Sequence, residues 1–147
     1  MKNQHRGEAS IVIDAPVEDV WDALTNPDQI KKYFFGTEAV SDWKQGSPLY
    51  FRGEWEGKKY EDKGTILETK KDKIFKYTYW SSMSGIEDKP ENYVTVTYEL
   101  SEVLGKTKVT ITQENIPSDE MRKHSEENWN KVLADLKNLL ERNVAAY

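Results

Sequence analysis

Three stretches of this sequence carry the side chains whose types and spacing could do chemistry on a small molecule. Across residues 108–113 the period-two pattern puts Val109, Ile111 and Gln113 on one face. An inward amide at Gln113 must find partners or cost a few kcal/mol (about 1–3 on mutational scales). It can orient a ligand, or it can bond Tyr98 or a buried water, and both readings stand. Tyr77 and Tyr79 alternate with their neighbours in one stretch; Val94, Val96, Tyr98 and Leu100 do so in another. Each tyrosine pairs an apolar ring with a hydroxyl that needs a partner. Singly they suit core filling, and as a set they suit a cavity wall. In a third, helix-like stretch, Met121, Ser125 and Trp129 recur every four residues, as one wall of a pocket would. Arg52 shares a strand face with Tyr50 and could reach a ligand carboxylate, although Glu54 stands two residues away as a rival partner.

Catalytic and metal chemistry find little support. His5 sits near the terminus, and His124 has no Cys, Asp or second His at metal-ligand spacing. There is no cysteine, so no disulfide, redox pair or thiolate zinc site is possible. No nucleophile elbow, phosphate loop or dinucleotide fingerprint occurs. Glu61 and Asp62 lie in a polar stretch and read as solvated. The expectation is no cofactor, no metal and no catalytic residue.

The chain has 147 residues, which fits one domain. Its 21 Lys and Arg against 26 Asp and Glu give a net charge of −5, the wrong field for a phosphate backbone, so no nucleic-acid partner is expected. No apolar run approaches the ~20 residues of a membrane span, and no leader-like apolar segment opens the chain. A cytoplasmic location, without membrane insertion, is the expectation.

The elements that must position these groups follow in order. Residues 9–14 are short and β-branched and read as a strand. Pro16 then precedes Val17, Val20, Trp21 and Leu24 at helical spacing. Asn26-Pro27 repeats the start signal for a second short helix with Ile30, Tyr33 and Phe34 as its apolar stripe and Gly36 as its stop. From residue 37 to 114 the period is two, for six or seven strands with threonines and lysines turned to water. Ser118 caps a final helix, residues 119–142, striped by Val132, Leu133, Leu136, Leu139 and Leu140. A curved antiparallel sheet needs its concave face covered, and only the last helix is long enough. The predicted class is α+β: β-α-α-β6-α, a sheet wrapped around a long C-terminal helix, in one domain over residues 8–144 after a disordered tail at 1–7. The half of that helix from Met121 to Trp129, facing Tyr98, Ile111 and Gln113, is where a pocket is expected to open.

Residues 15–21 (APVEDVW), Asn26-Pro27 and the aromatic cluster Tyr33-Phe34-Phe35 resemble the START-like helix-grip superfamily. The glycine of residues 43–46, the strand at 64–68, Gln113-Glu114-Asn115 and Trp129 resemble its branch named after the Hsp90 ATPase activator. The resemblance covers nearly the whole chain and rests on hydrophobic pattern more than on chemistry. It implies a deep cavity for lipids, sterols, polyketides or aromatic molecules, hence a small hydrophobic ligand as partner. It implies two alternatives as well: a cyclase- or hydrolase-type enzyme using the same cavity, and a stress-response protein interacting with Hsp90. Where the family pattern has Trp-Phe this chain has Tyr33-Phe34, and where histidine is frequent it has Gln113. The eukaryotic co-chaperone adds an N-terminal domain for which 147 residues leave no room, which ranks the chaperone role below ligand binding.

Overall fold

The computed structural model describes residues 5–33, 36–81 and 85–145. Residues 1–4 of the expected tail, Phe34 and Phe35, and residues 82–84 lie outside them. The order is β1 (His5–Ile13), α1 (Val17–Thr25), α2 (Pro27–Tyr33), β2 (Glu38–Ser41), β3 (Pro48–Trp55), β4 (Lys58–Lys70), β5 (Ile74–Tyr79), β6 (Val94–Val103), β7 (Lys106–Ile116) and α3 (Asp119–Ala145). One turn of 3-10 helix at Pro90–Asn92 precedes β6. The strands form one antiparallel sheet in the order β1-β7-β6-β5-β4-β3-β2. The α+β architecture read from the sequence is the one observed.

Local chemistry sets the helix ends. The Pro16 carbonyl accepts the first bonds of α1, and Glu18 and Asp19 sit at the positive end of its dipole. Asn26 Oδ1 accepts the Asp28 N–H at 3.0 Å to start α2. Ser118 Oγ accepts the Met121 N–H at 3.2 Å and caps α3, which runs three residues beyond the expected stop. At 27 residues α3 is about 40 Å long. It buries Val132, Leu133, Leu136 and Leu140 against the concave side of the sheet.

Two expectations need correcting. Residues 5–7, read as tail, belong to β1, with His5 opposite Ile116 and Gly7 opposite Gln113. Thr97 and Thr112 face each other on the outer side of the sheet as a cross-strand pair, yet both are buried and not turned to water.

The helix α3 also lies along the free edge of β1. Glu126 accepts the Glu8 N–H at 2.9 Å and Glu141 accepts the Asp14 N–H at 3.0 Å. Lys137 bonds the Val12 carbonyl at 3.3 Å and the Glu141 carboxylate. The Asp14 N–H, and next the Lys137 ammonium, hold the Glu141 carboxyl below its ordinary range. At the first turns of α3 the contact is close: a Cβ on Gly7 would lie 3.2 Å from Glu126 Cγ and 3.6 Å from the Arg122 carbonyl oxygen.

Candidate functional site

Register aligns the concave side chains in rows. Tyr77, Val96, Gln113 and Gly7 form one row across β5, β6, β7 and β1; Phe75, Tyr98, Ile111 and Ala9 form the next. Val96 and Ile111 are fully buried and give these rows an apolar floor. The rings connect: Phe75 to Tyr77 at 5.6 Å, Phe51 to Tyr77 at 5.9 Å, Tyr77 to Tyr98 at 5.5 Å and Tyr98 to Trp129 at 5.9 Å between centroids. Edge-to-face geometry in the last two places ring edges against ring faces, the arrangement the aromatic quadrupole favours.

A small, partly open space lies at the α1–α2 end of this wall. Leu24, Ile30, Tyr33 and Trp43 roof it, and Leu49, Phe51, Phe75, Tyr77 and Tyr98 floor it. About 10 Å³ is open to the centre of a water-sized sphere, room for one water at most. The aromatic side chains therefore occupy the deep cavity that the family resemblance implies. Tyr77 and Tyr98 of the expected site line this space, and none of its lining residues comes from α3.

The polar groups of this wall are bonded to one another. The Tyr77 and Tyr98 hydroxyls are 2.7 Å apart. Burial pushes both phenols well above their ordinary pKa, so both are neutral at physiological pH. Two O–H groups sharing one hydrogen bond leave one proton over, and neither hydroxyl has a further bond among the described residues. Tyr33 donates to the Ala23 carbonyl at 2.8 Å, joining α2 to α1. Removing one member of the Tyr77–Tyr98 pair strands the other. Tyr77→Phe is expected to cost about 1–3 kcal/mol, and adding Tyr98→Phe to cost much less than a second such step. Urea unfolding of the two singles and the double checks this; strictly additive losses contradict it.

Toward the other end of the concave face Tyr79, Val94, Gln113 and Trp129 remain half-buried. Here the structure brings together three residues singled out from sequence. Gln113 Oε1 accepts from Ser125 Oγ at 2.9 Å and from Trp129 Nε1 at 2.7 Å. The helical spacing of 125 and 129 aims both donors at one strand position. Ser125 has an amide as partner, which is no base, so nothing activates its hydroxyl as a nucleophile.

Two predicted residues fall elsewhere. Met121 is 43% exposed, because the first turns of α3 press Arg122 and Glu126, not Met121, toward β1. Arg52 lies on the outer face of the sheet. It bonds Glu61 directly opposite on β4 at 2.7 Å and covers the Tyr50 ring, with about half of its side chain in solvent. The cross-strand carboxylate, not Glu54, is its partner.

The sequence reading missed Asp62, which is 7% exposed and accepts the Tyr79 hydroxyl at 2.6 Å. Burial and then the Asp62 carboxylate raise the Tyr79 pKa, so this phenol too stays protonated. The period-two pattern did carry the signal: Asp62 is four residues before Ile66, hence on the same inner face. Trp43, in the roof, has no periodic neighbours to reveal it. Among the described residues no three His, Cys, Asp or Glu side chains gather as metal ligands, and no helix is long and apolar enough to cross a membrane.

Known proteins share this fold. The chain is similar to ChR145 from Cytophaga hutchinsonii, 46% identical, with 99% of each chain covered and a TM-score of 0.85. It shares its fold with the Aha1 dimer from Colwellia psychrerythraea (22% identity, 93% and 96% covered, TM-score 0.72). CalU16 from Micromonospora echinospora has it too (20% identity, 99% and 90% covered, TM-score 0.72). No curated protein matches the sequence. The family model for activator of Hsp90 ATPase homolog 1-like proteins matches residues 14–141, so nearly all the chain is accounted for, and it belongs to that family of START-like helix-grip domains.

Proposed function

We propose that the domain binds a small, largely apolar or aromatic molecule on the concave face, against Tyr77, Tyr98 and Trp129. The observation that carries this reading is the proton left over from the Tyr77–Tyr98 pair, a buried donor set in an otherwise aromatic wall. A buried donor with no acceptor is costly, and a ligand oxygen or a water relieves it.

A molecule of that class needs more room than one water, so the roof must give. Trp43 is where it gives. It is half-buried and its φ is +63°, a left-handed conformation that a bulky residue adopts at a cost of about 1–3 kcal/mol. Its N–H donates to Ser41 Oγ at 3.0 Å, and the turn after it is tied to the sheet through Gly46 and Ser47. Displacing Trp43 releases that strain as it opens the aromatic space, so ligand entry and backbone relaxation go together.

Titration with 2-ethylnaphthalene, followed by amide and aromatic chemical shifts, tests the reading. Perturbations are expected at Tyr77, Tyr98, Trp43 and Trp129. No perturbation, or one confined to the outer face around Arg52 and Thr97, overturns it. Native mass spectrometry of freshly purified protein adds a second readout, a retained small mass.

A further inference from the structure

Trp129 Nε1 is a donor only, so the atom of Gln113 that lies 2.7 Å from it must be the amide oxygen. Ser125 gives a second bond to the same atom. Two donors from successive turns of α3 thus fix which way the amide faces. Its nitrogen, with two N–H groups, has no hydrogen bond among the described residues. Among the described residues the buried side-chain atoms that lack a partner are Gln29 Oε1 and Asp72 Oδ1, and the Gln113 nitrogen is not one of them, so it reaches solvent. A half-buried amide with a pinned oxygen and an open nitrogen is a preoriented donor at the less buried end of the aromatic wall.

We infer that Gln113 reads a carbonyl oxygen on the apolar molecule, making it a specificity-determining residue; this rests on the binding reading above. The chemistry favours an acceptor. The open side of the amide offers only N–H groups, and the Tyr77–Tyr98 pair adds a spare proton beside the lone pairs of its oxygens. The surrounding charge selects a neutral acceptor over a carboxylate. The nearest ionic cluster on α3 sets Arg122 between Asp119 and Glu126, and Glu126 also accepts from the β1 backbone. That leaves no unshared positive charge there to hold an anion, and the chain as a whole carries −5. Ketones, esters, amides and quinones on an aromatic or alicyclic frame are the class that fits.

The test uses two probes of one skeleton: 2-acetylnaphthalene, with a carbonyl, and 2-ethylnaphthalene, without. Gln113→Glu keeps an oxygen for Ser125 and Trp129 and replaces the open donor by an acceptor. The expected result is that the wild-type protein prefers 2-acetylnaphthalene by about five- to tenfold, the scale of one neutral hydrogen bond. Gln113→Glu is expected to erase that preference, read as the ratio of the two affinities whatever its effect on each. Trp129→Phe, which frees the amide to turn over, is expected to shrink the preference without reversing it. Thermal unfolding of each variant shows that it is folded. If both probes bind and the preference is absent, or survives Gln113→Glu, the inference falls and the binding reading stands. If neither probe binds the wild-type protein, both fall.

Discussion

Gly64→Ala is expected to unfold the protein or to cost about 3 kcal/mol or more, from one added methyl group. A Cβ at Gly64 would lie 1.6 Å from the Thr78 carbonyl oxygen and 2.5 Å from its carbon. Both are backbone atoms, so no rotamer change makes room. The approach is close because β4 bends here. Its first half pairs with β3, its second half pairs with β5, and the register to β5 slips between Ile66 and Glu68. Around the bend the Lys63 and Trp80 backbones exchange bonds at 3.1 and 2.8 Å, and the Thr65 N–H donates to Thr78 Oγ1 at 2.9 Å. Relieving the clash means parting these bonds and the two halves of the sheet with them, which sets this substitution beyond ordinary overpacking. Urea unfolding of Gly64→Ala, with Gly105→Ala as a turn control, measures it. A loss below about 1 kcal/mol at residue 64 would refute the account.

Phe75→Ala is expected to cost about 3–5 kcal/mol, the range for deleting a fully buried ring. Phe75 is 2% exposed and touches four other rings: Trp21 at 6.3 Å, Trp43 at 6.0 Å, Tyr77 at 5.6 Å and Tyr98 at 6.0 Å. These come from α1, the roof, β5 and β6, so the void would sit where four elements meet and no single one can collapse into it. A lower urea midpoint at unchanged slope is the expected signature. Phe75→Leu should lose distinctly less. Equal losses for the two would mean that the ring contacts, and not the volume filled, set the cost.

Much of the fold was legible because its signals are local. Pro16, Asn26-Pro27 and Ser118 start three helices through their own backbone chemistry, and the stripe from Val132 to Leu140 declares the covered face of α3. What escaped depends on partners far along the chain. Arg52 finds Glu61 because β3 and β4 pair in one register, which no pattern within β3 reveals. Met121 obeys the helical spacing but is turned outward by the contact between Gly7 and Arg122–Glu126. Asp62 looked solvated by composition, although its phase relative to Ile66 already placed it inside. For the site, alternation and helical spacing were enough to group Gln113, Ser125 and Trp129. They could not say whether aromatic rings leave space between sheet and helix, since side-chain volume is settled by packing among β3, β5, β6 and α1.

The side chains that α3 lays along β1 also govern how the protein meets copies of itself. An open sheet has two borders, and each unpaired backbone row invites a strand from another molecule. On one border, the Glu8 and Asp14 amides and the Val12 carbonyl already hold Glu126, Glu141 and Lys137, and the helix itself blocks approach. The other border is β2, four residues long. Among the described residues, intermolecular strand addition, and the fibrous aggregation it seeds, is thus opposed along β1 and left to β2 and the short end of β3 beyond it, residues 53–55.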